Sequence, residues 1–293
     1  MMSEQDLTGQ IFIDGKYKLG SKLGSGAFGT VYLAEENWNG IPVRNVALKI
    51  YSPESTKNAT RAMYKDCVLP ATILASNVPE DEPFKRHFVE IYDFGKIETE
   101  QGDCAYLAMQ LLTKANTLSK LTEDAIRTSK YPSEETVVNY MLQFFEALSL
   151  AHRRGVLHRD IKGDNVMITG NVIRIIDFGM GACITDLRSD FRTTIWIYAP
   201  ENFKSIYTTA SDIYQAGLMF YYFYTGFNPF ANTNNLTPDE YMAQAYQERI
   251  SFRYKPSEEF KHRGVHVSPL LDSVLSKCLA FSETERYCSA QEV

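Results

Sequence analysis

One run of eight residues carries most of the chemistry readable in this chain: His158-Arg159-Asp160-Ile161-Lys162-Gly163-Asp164-Asn165. It offers a carboxylate that can orient a hydroxyl and accept its proton, an amide oxygen hard enough to ligate a divalent cation, and a lysine to balance developing negative charge. Phosphoryl transfer needs that set, with Asp160 as the base, Asn165 as a metal ligand and Lys162 as the cation near the transferred group. A solvated turn can have a similar composition; the order of residues in this run sets it apart. A further carboxylate, Asp177 of Asp177-Phe178-Gly179, follows the apolar run Ile173–Ile176 and is placed to chelate the same cation.

Phosphates also need a cradle. Gly24-Ser25-Gly26-Ala27-Phe28-Gly29-Thr30-Val31 spaces three glycines so that backbone N–H groups can approach phosphate oxygens without an intervening Cβ. A dinucleotide-binding loop has the same letters but opens a helix. Here Thr30-Val31-Tyr32-Leu33-Ala34 follows and reads as a strand, so the loop is a hairpin lying over its ligand. Val46-Ala47-Leu48-Lys49 is a second apolar strand ending in one lysine. Alone it would be a surface charge at a strand edge; after a phosphate-cradling hairpin, Lys49 is placed to pair the α- and β-phosphates.

The elements that must hold these residues divide by position along the chain. Tyr17–Leu19, Thr30–Glu35 and Val43–Ile50 are predicted strands, with Asn39-Gly40 as a hairpin turn. Ser55–Asn77 has a mixed helical pattern in which Pro70 marks a kink or a late start, and Val78–Lys85 reads as a loop. Strand signals return at Phe88–Phe94 and Ala105–Leu111. Thereafter helices dominate. Ser133 is a good N-cap, Glu134 and Glu135 complement the dipole, and Arg153, Arg154 and Gly155 close the far end. Between them Val137, Tyr140, Met141, Phe144, Leu148 and Ala151 make one apolar face. Strands first and helices later predicts a segregated α+β fold.

With these residues placed, the chain resembles the eukaryotic-type protein kinases, of serine/threonine type, from about Tyr17 onward. The Gly-rich loop, the strand lysine, the catalytic loop, Asp177-Phe178-Gly179 and Ala199-Pro200-Glu201 occur in family order. Ser211–Gly217 is similar to the family's buried helix, whose aspartate braces the catalytic loop, and Arg286 to the late arginine that pairs Glu201. The resemblance implies a bilobal fold, with residues 1–16 as an extension, 17–112 as a small β-rich N-lobe with one main helix and the hinge, and 113–293 as a larger helical C-lobe. It implies ATP as cofactor with Mg²⁺ or Mn²⁺. Val31 and Ala47 would roof the adenine, Met167 would floor it, Met109 would be the gatekeeper, and Gln110 to Leu112 the hinge. The last residues, Ala290-Gln291-Glu292-Val293, resemble the middle of the family's final helix, as in a domain cut from a longer chain. The compact spacing, with few insertions, is similar to that of many bacterial members.

Lys162, two residues after the catalytic aspartate, is the serine/threonine pattern, and Thr194 stands where such kinases keep a threonine. The flanking text departs: the family's Gly-Thr-Pro-x-Tyr reads Thr193-Thr194-Ile195-Trp196-Ile197. Arg159 is the arginine that in many members answers a phosphate in the activation segment, here Asp177–Glu201, so autophosphorylation at Thr185, Ser189 or Thr193 is expected. The strand lysine normally pairs a glutamate on the N-lobe helix, yet Ser55–Pro79 contains none. Three readings stand: Asp66 reaches Lys49, Glu80 or Glu82 swings in, or the pair is absent.

The resemblance therefore implies a kinase acting on protein serine or threonine hydroxyls, with a pseudokinase serving as a nucleotide-binding or scaffolding module as the alternative. A small-molecule phosphotransferase would share Asp160 and Asn165 but not Ala199-Pro200-Glu201, Lys162 or Arg286. Composition excludes other classes. A net charge of −6 without a basic stripe argues against nucleic acid. Five scattered cysteines without C-x-x-C spacing suit a reducing compartment, so a cytoplasmic location is expected. The N-terminus has no secretory pattern. The apolar stretch Ile213–Phe230 is interrupted by Gln215, Asn228 and Pro229, which favours a buried helix over a membrane span.

Overall fold

Alternation along four long strands builds a sheet with two different faces. The computed structural model describes residues 7–26, 29–51, 56–75, 77–99, 102–178, 181–183, 195–228, 238–251, 257–258 and 267–293. Strands β1 (Ile11–Phe12), β2 (Tyr17–Gly26), β3 (Gly29–Trp38) and β4 (Ile41–Tyr51) are followed by helix α1 (Thr56–Leu74). A 3₁₀ turn (Pro79–Asp81) and the one-turn α2 (Glu82–Lys85) precede β5 (Ile91–Thr99) and β6 (Gly102–Gln110). The six strands pair in the order β1-β2-β3-β4-β6-β5, every pair antiparallel.

One face of this sheet is core: Tyr17 and Leu19, Tyr32 and Ala34, Val46, Leu48 and Ile50, then Cys104, Tyr106 and Ala108 pack into a single cluster. Side chains on a strand alternate between faces, so the intervening residues share the other side. In register, Val31 stands opposite Lys49, Leu33 opposite Ala47, and Ala47 in turn opposite Met109. Residues 7–16, set aside above as an extension, contribute Leu7 to the core cluster and β1 to the sheet edge.

Two compact units partition the chain, Met1–Thr72 with Val89–Thr113, and Ile73–Phe88 with Lys114–Val293. The second is helical. It contains β7 (Asn116–Thr117), α3 (Leu118–Thr128), α4 (Glu134–Arg153), β8 (Val156–Leu157), β9 (Val166–Thr169) and β10 (Val172–Ile175). After β11 (Ala182–Cys183) come α5 (Thr209–Thr225), α6 (Pro238–Ser251) and α7 (Pro269–Cys278). Ser133 caps α4 through the Thr136 N–H, and all six residues of the predicted apolar face are buried. Thr208 caps α5 reciprocally with Ser211. Nearly every residue of α5 is buried, so the stretch from Ile213 to Thr225 lies in a core helix. No helix among the described residues is long and apolar enough to cross a membrane.

Four local expectations are corrected. Val78–Lys85 is not a loop: Pro79 at the first position starts the 3₁₀ turn, and buried Asp81 is gripped by Arg153 and Arg154 at 2.8 and 3.0 Å. Those arginines bind an acid from another element in addition to ending α4. Pro70 is not a late start, since α1 begins at Thr56 and runs through it to Leu74. The strand expected from Phe88 begins at Ile91, and Phe88 makes only an isolated bridge to Ile175. The final residues form a turn rather than a helix.

Candidate active site

In the sheet unit, β2 and β3 bring the glycine hairpin together, pairing Gly26 with Gly29. A Cβ at Gly29 would lie 2.1 Å from the Ile50 carbonyl oxygen, so only glycine allows β3 to approach β4 there. A Cβ at Gly24 or Gly26 would meet nothing within 4 Å. Ala27 and Phe28 lie outside the described residues.

Lys49 is 8% exposed and its Nζ lies 2.7 Å from Asp66 Oδ2. The partner left open by the sequence is thus the aspartate of α1. Tyr51 also donates to Asp66 Oδ2, at 2.5 Å. Tyr51 was not singled out above, although its place two residues beyond Lys49 puts both on one strand face. Val31, Ala47 and Met109 share that face by register. Gln110 closes β6, donating its N–H to the Glu90 carbonyl at 2.9 Å, and Leu112 follows, half-buried.

In the helical unit, Asp160 Oδ2 accepts from Asn165 Nδ2 at 3.1 Å and faces Lys162 Nζ at 2.9 Å. The same amide donates to the Asp160 carbonyl at 2.8 Å, folding the loop back on itself. A Cβ at Gly163 would meet the Ser119 backbone nitrogen at 2.6 Å, so the loop can lie against the start of α3 only with glycine there. The Ile176 N–H donates to the Asn165 carbonyl at 3.1 Å, linking the segment before Asp177 to the catalytic loop. Asp177 is half-buried and Phe178 is buried against His158, ring centroids 4.8 Å apart. Gly179 lies outside the described residues. Met167, on β9 between buried Val166 and Ile168, points to the opposite side of that small sheet.

Supporting residues hold this loop. Asp212 on α5 accepts from the His158 and Arg159 N–H groups at 2.8 and 2.9 Å and faces His152 Nε2 at 3.0 Å. Burial opposes its ionisation, yet the hydrogen bond and charge of His152 hold its carboxyl below the usual range. Arg159 has φ of +68°, a left-handed conformation that costs a bulky residue roughly 1–3 kcal/mol. Asp212 and Gln215, which accepts the Ile161 N–H at 3.0 Å, supply the bonds that maintain it. Glu201 pairs Arg286 through two bonds of 2.7 and 2.9 Å. Arg249 was missed in the sequence: fully buried, it donates to the carbonyls of Ile195, Trp196, Tyr198 and Ala245 and so fixes the 3₁₀ turn Ile195–Ile197, where the family pattern departs. Nothing short of the fold brings α6 to those carbonyls. Thr194 lies outside the described residues.

The profile described as Protein kinase domain matches residues 17–293. The chain belongs to the protein kinase domain family. Similar curated members include the serine/threonine-protein kinase PknB of Mycobacterium leprae, 28% identical over 287 residues, covering 95% of this chain and 42% of that protein. PknB of Mycobacterium tuberculosis is 27% identical over the same length and coverage. The serine/threonine-protein kinase PknA of Corynebacterium glutamicum is 29% identical over 246 residues, 80% of this chain and 49% of that one. The chain thus spans less than half the length of these relatives.

Members of this family use ATP and a divalent metal. The residues here fit both groups. The space over Gly24 and Gly26 is open to phosphate, and Asn165 and Asp177 offer hard oxygen donors. Among the described residues there is no group of three or more His, Cys, Asp or Glu side chains that could hold a metal ion.

Proposed function

We propose that this domain is a serine/threonine protein kinase that transfers the γ-phosphate of ATP, with Mg²⁺, to protein hydroxyls. The observation that carries the reading is Asp160 Oδ2, held between Asn165 Nδ2 and Lys162 Nζ on a loop braced by Asp212. When bound, MgATP supplies the phosphoryl group and compensates its charge. Asp160 orients the substrate hydroxyl and accepts its proton at a carboxylate oxygen. Lys162 Nζ balances charge beside it, and Asn165 and Asp177 hold the metal through side-chain oxygens. Lys49 Nζ binds phosphate oxygens, with Asp66 keeping the ammonium in place. Gly24, Gly26 and Gly29 let backbone N–H groups approach, while Val31, Ala47, Met109, Gln110, Leu112 and Met167 bind the adenine. The lobes we assign are residues 17–112 and 113–293.

Arg159 supports a further part of this reading. Among the described residues its Nε and Nη1 are buried without hydrogen-bond partners, while the guanidinium stacks 3.9 Å from the Tyr207 ring centroid. A phosphate on the segment 177–201 would satisfy those donors. Thr185, Ser189 and Thr193 lie outside the described residues.

One assay tests both. With γ-labelled ATP and Mg²⁺, label should appear on serine or threonine of the protein and of a basic protein substrate, and Asp160→Asn should abolish it. Peptide mapping should place part of the label at Thr185, Ser189 or Thr193. Active protein lacking label there would remove the Arg159 reading. ATP binding without transfer to any of several substrates would favour a nucleotide-binding or scaffolding module.

A further inference from the structure

Asp66 reaches Lys49 with one methylene fewer than a glutamate would have, and it is not left to do so unaided. Tyr51 is 0% exposed and leaves β4 on the same face as Lys49. Its hydroxyl donates to Oδ2 of Asp66, the oxygen that also faces Lys49 Nζ. The ammonium in turn stands 4.9 Å from the centroid of the Tyr51 ring. We propose that Tyr51 is a positioning residue for nucleotide binding, acting through Asp66 to hold the Lys49 ammonium; this rests on the phosphate-binding role proposed for Lys49.

The physical argument concerns rotation. The terminal torsion of an aspartate is broad and nearly two-fold, and an ammonium on a flexible stem fixes it poorly. A donor mounted on the sheet narrows that torsion by favouring one oxygen. The tyrosine has its own reason to stay, because a buried hydroxyl deprived of its acceptor is costly. Its ring face adds attraction for the ammonium. Strand, helix and cation are thereby tied at one atom.

A plain core aromatic would fill the same volume without the hydroxyl, and Tyr51→Phe separates the two roles. The full chain would be compared as wild type, Tyr51→Phe, Asp66→Asn and the double variant. In nucleotide-free protein, acylation of Lys49 by an N-hydroxysuccinimide ester is followed by peptide mass spectrometry. Because Tyr51 acts through Asp66, Tyr51→Phe should speed acylation about fivefold, and it should add nothing in the Asp66→Asn background. In the transfer assay kcat/KM for ATP should fall roughly tenfold, with KM for the protein substrate unchanged.

Folded Tyr51→Phe with unaltered acylation and kcat/KM, or effects that add to those of Asp66→Asn, would overturn the proposal. If Tyr51→Phe does not fold, 3-fluorotyrosine at position 51 keeps the ring and strengthens the donor. It should slow acylation, and an unchanged or faster rate defeats the idea. Should the wild type transfer no phosphate, the kinase reading fails, while the acylation rates still decide the role of Tyr51.

Discussion

Two buried histidines make the folded chain sensitive to mild acid. Burial pushes the His87 ring below its ordinary range, opposed by its bond to the Ile173 carbonyl and reinforced by Arg86 and Arg174. His158 is lowered by burial first, against the pull of Asp212, Asp160 and Asp177. Both therefore bind protons more readily in the unfolded chain. Their contribution to stability is complete above about pH 6.5 and is lost as pH falls toward the folded values. The urea midpoint should drop between pH 7.5 and 5.5, and His87→Gln should flatten part of the drop; an unchanged midpoint would refute this. At this scale the reading from sequence was uneven. Asp160, Asn165 and Asp177 stand out because the roles proposed for them, proton acceptor and hard metal ligands, need oxygen-bearing side chains. Tyr51 and Arg249 do not, because their partners are named only when α1 and α6 take up their rotations.

Glycines in one hairpin have different physical tasks. Gly29 is demanded by the Ile50 carbonyl, whereas Gly24 and Gly26 face open space. Gly29→Ala must push two strands apart and should destabilise by roughly 1–3 kcal/mol. Gly24→Ala and Gly26→Ala should change stability by less than about 0.5 kcal/mol while weakening ATP binding. Melting temperatures set beside ATP titrations distinguish the two, and equal stability losses at all three positions would contradict the geometry. Elements with strong terminal signals were legible: the cap at Ser133 and the face from Val137 to Ala151 located α4 to within a residue. Pro79–Lys85 was not, since two consecutive short turns fall below any helical period, and their stabilising bonds to Arg153 and Arg154 come from a distant helix.

In the helical unit, distant segments meet on a buried pair of charges. The Arg286 guanidinium meets both Glu201 oxygens and also donates to the carbonyls of Ala280, Ala210 and Phe281, while Ser211 donates to Glu201 at 2.6 Å. Removing one member strands the other, so Arg286→Ala should destabilise by about 3–5 kcal/mol, with Arg286→Lys recovering part of it. Urea unfolding measures this, and a loss under about 1 kcal/mol would show the pair to be marginal. Elsewhere in that unit a groove of about 800 Å³, lined by Met141, Leu142, Phe145, Leu271 and Val274 among others, holds none of the predicted site residues. The order of segregated strands and helices foretold the architecture, because period-two and period-3.6 patterns record burial directly. Which segments join across 85 residues, as Glu201 and Arg286 do, was legible only through the family resemblance.

The two-faced register of β3 and β4 also governs which changes of length the chain can inherit. Losing one residue between Val31 and Glu35 would put the strand on either side of the gap out of phase, so that Tyr32 and Ala34 could no longer both face the core. Gene variants with single-codon gains or losses there should be eliminated together, whatever residue is affected. The irregular step between Glu36 and Asn37 and the turn at Asn39-Gly40 already break the alternation, so inherited differences in length belong at that end of the hairpin.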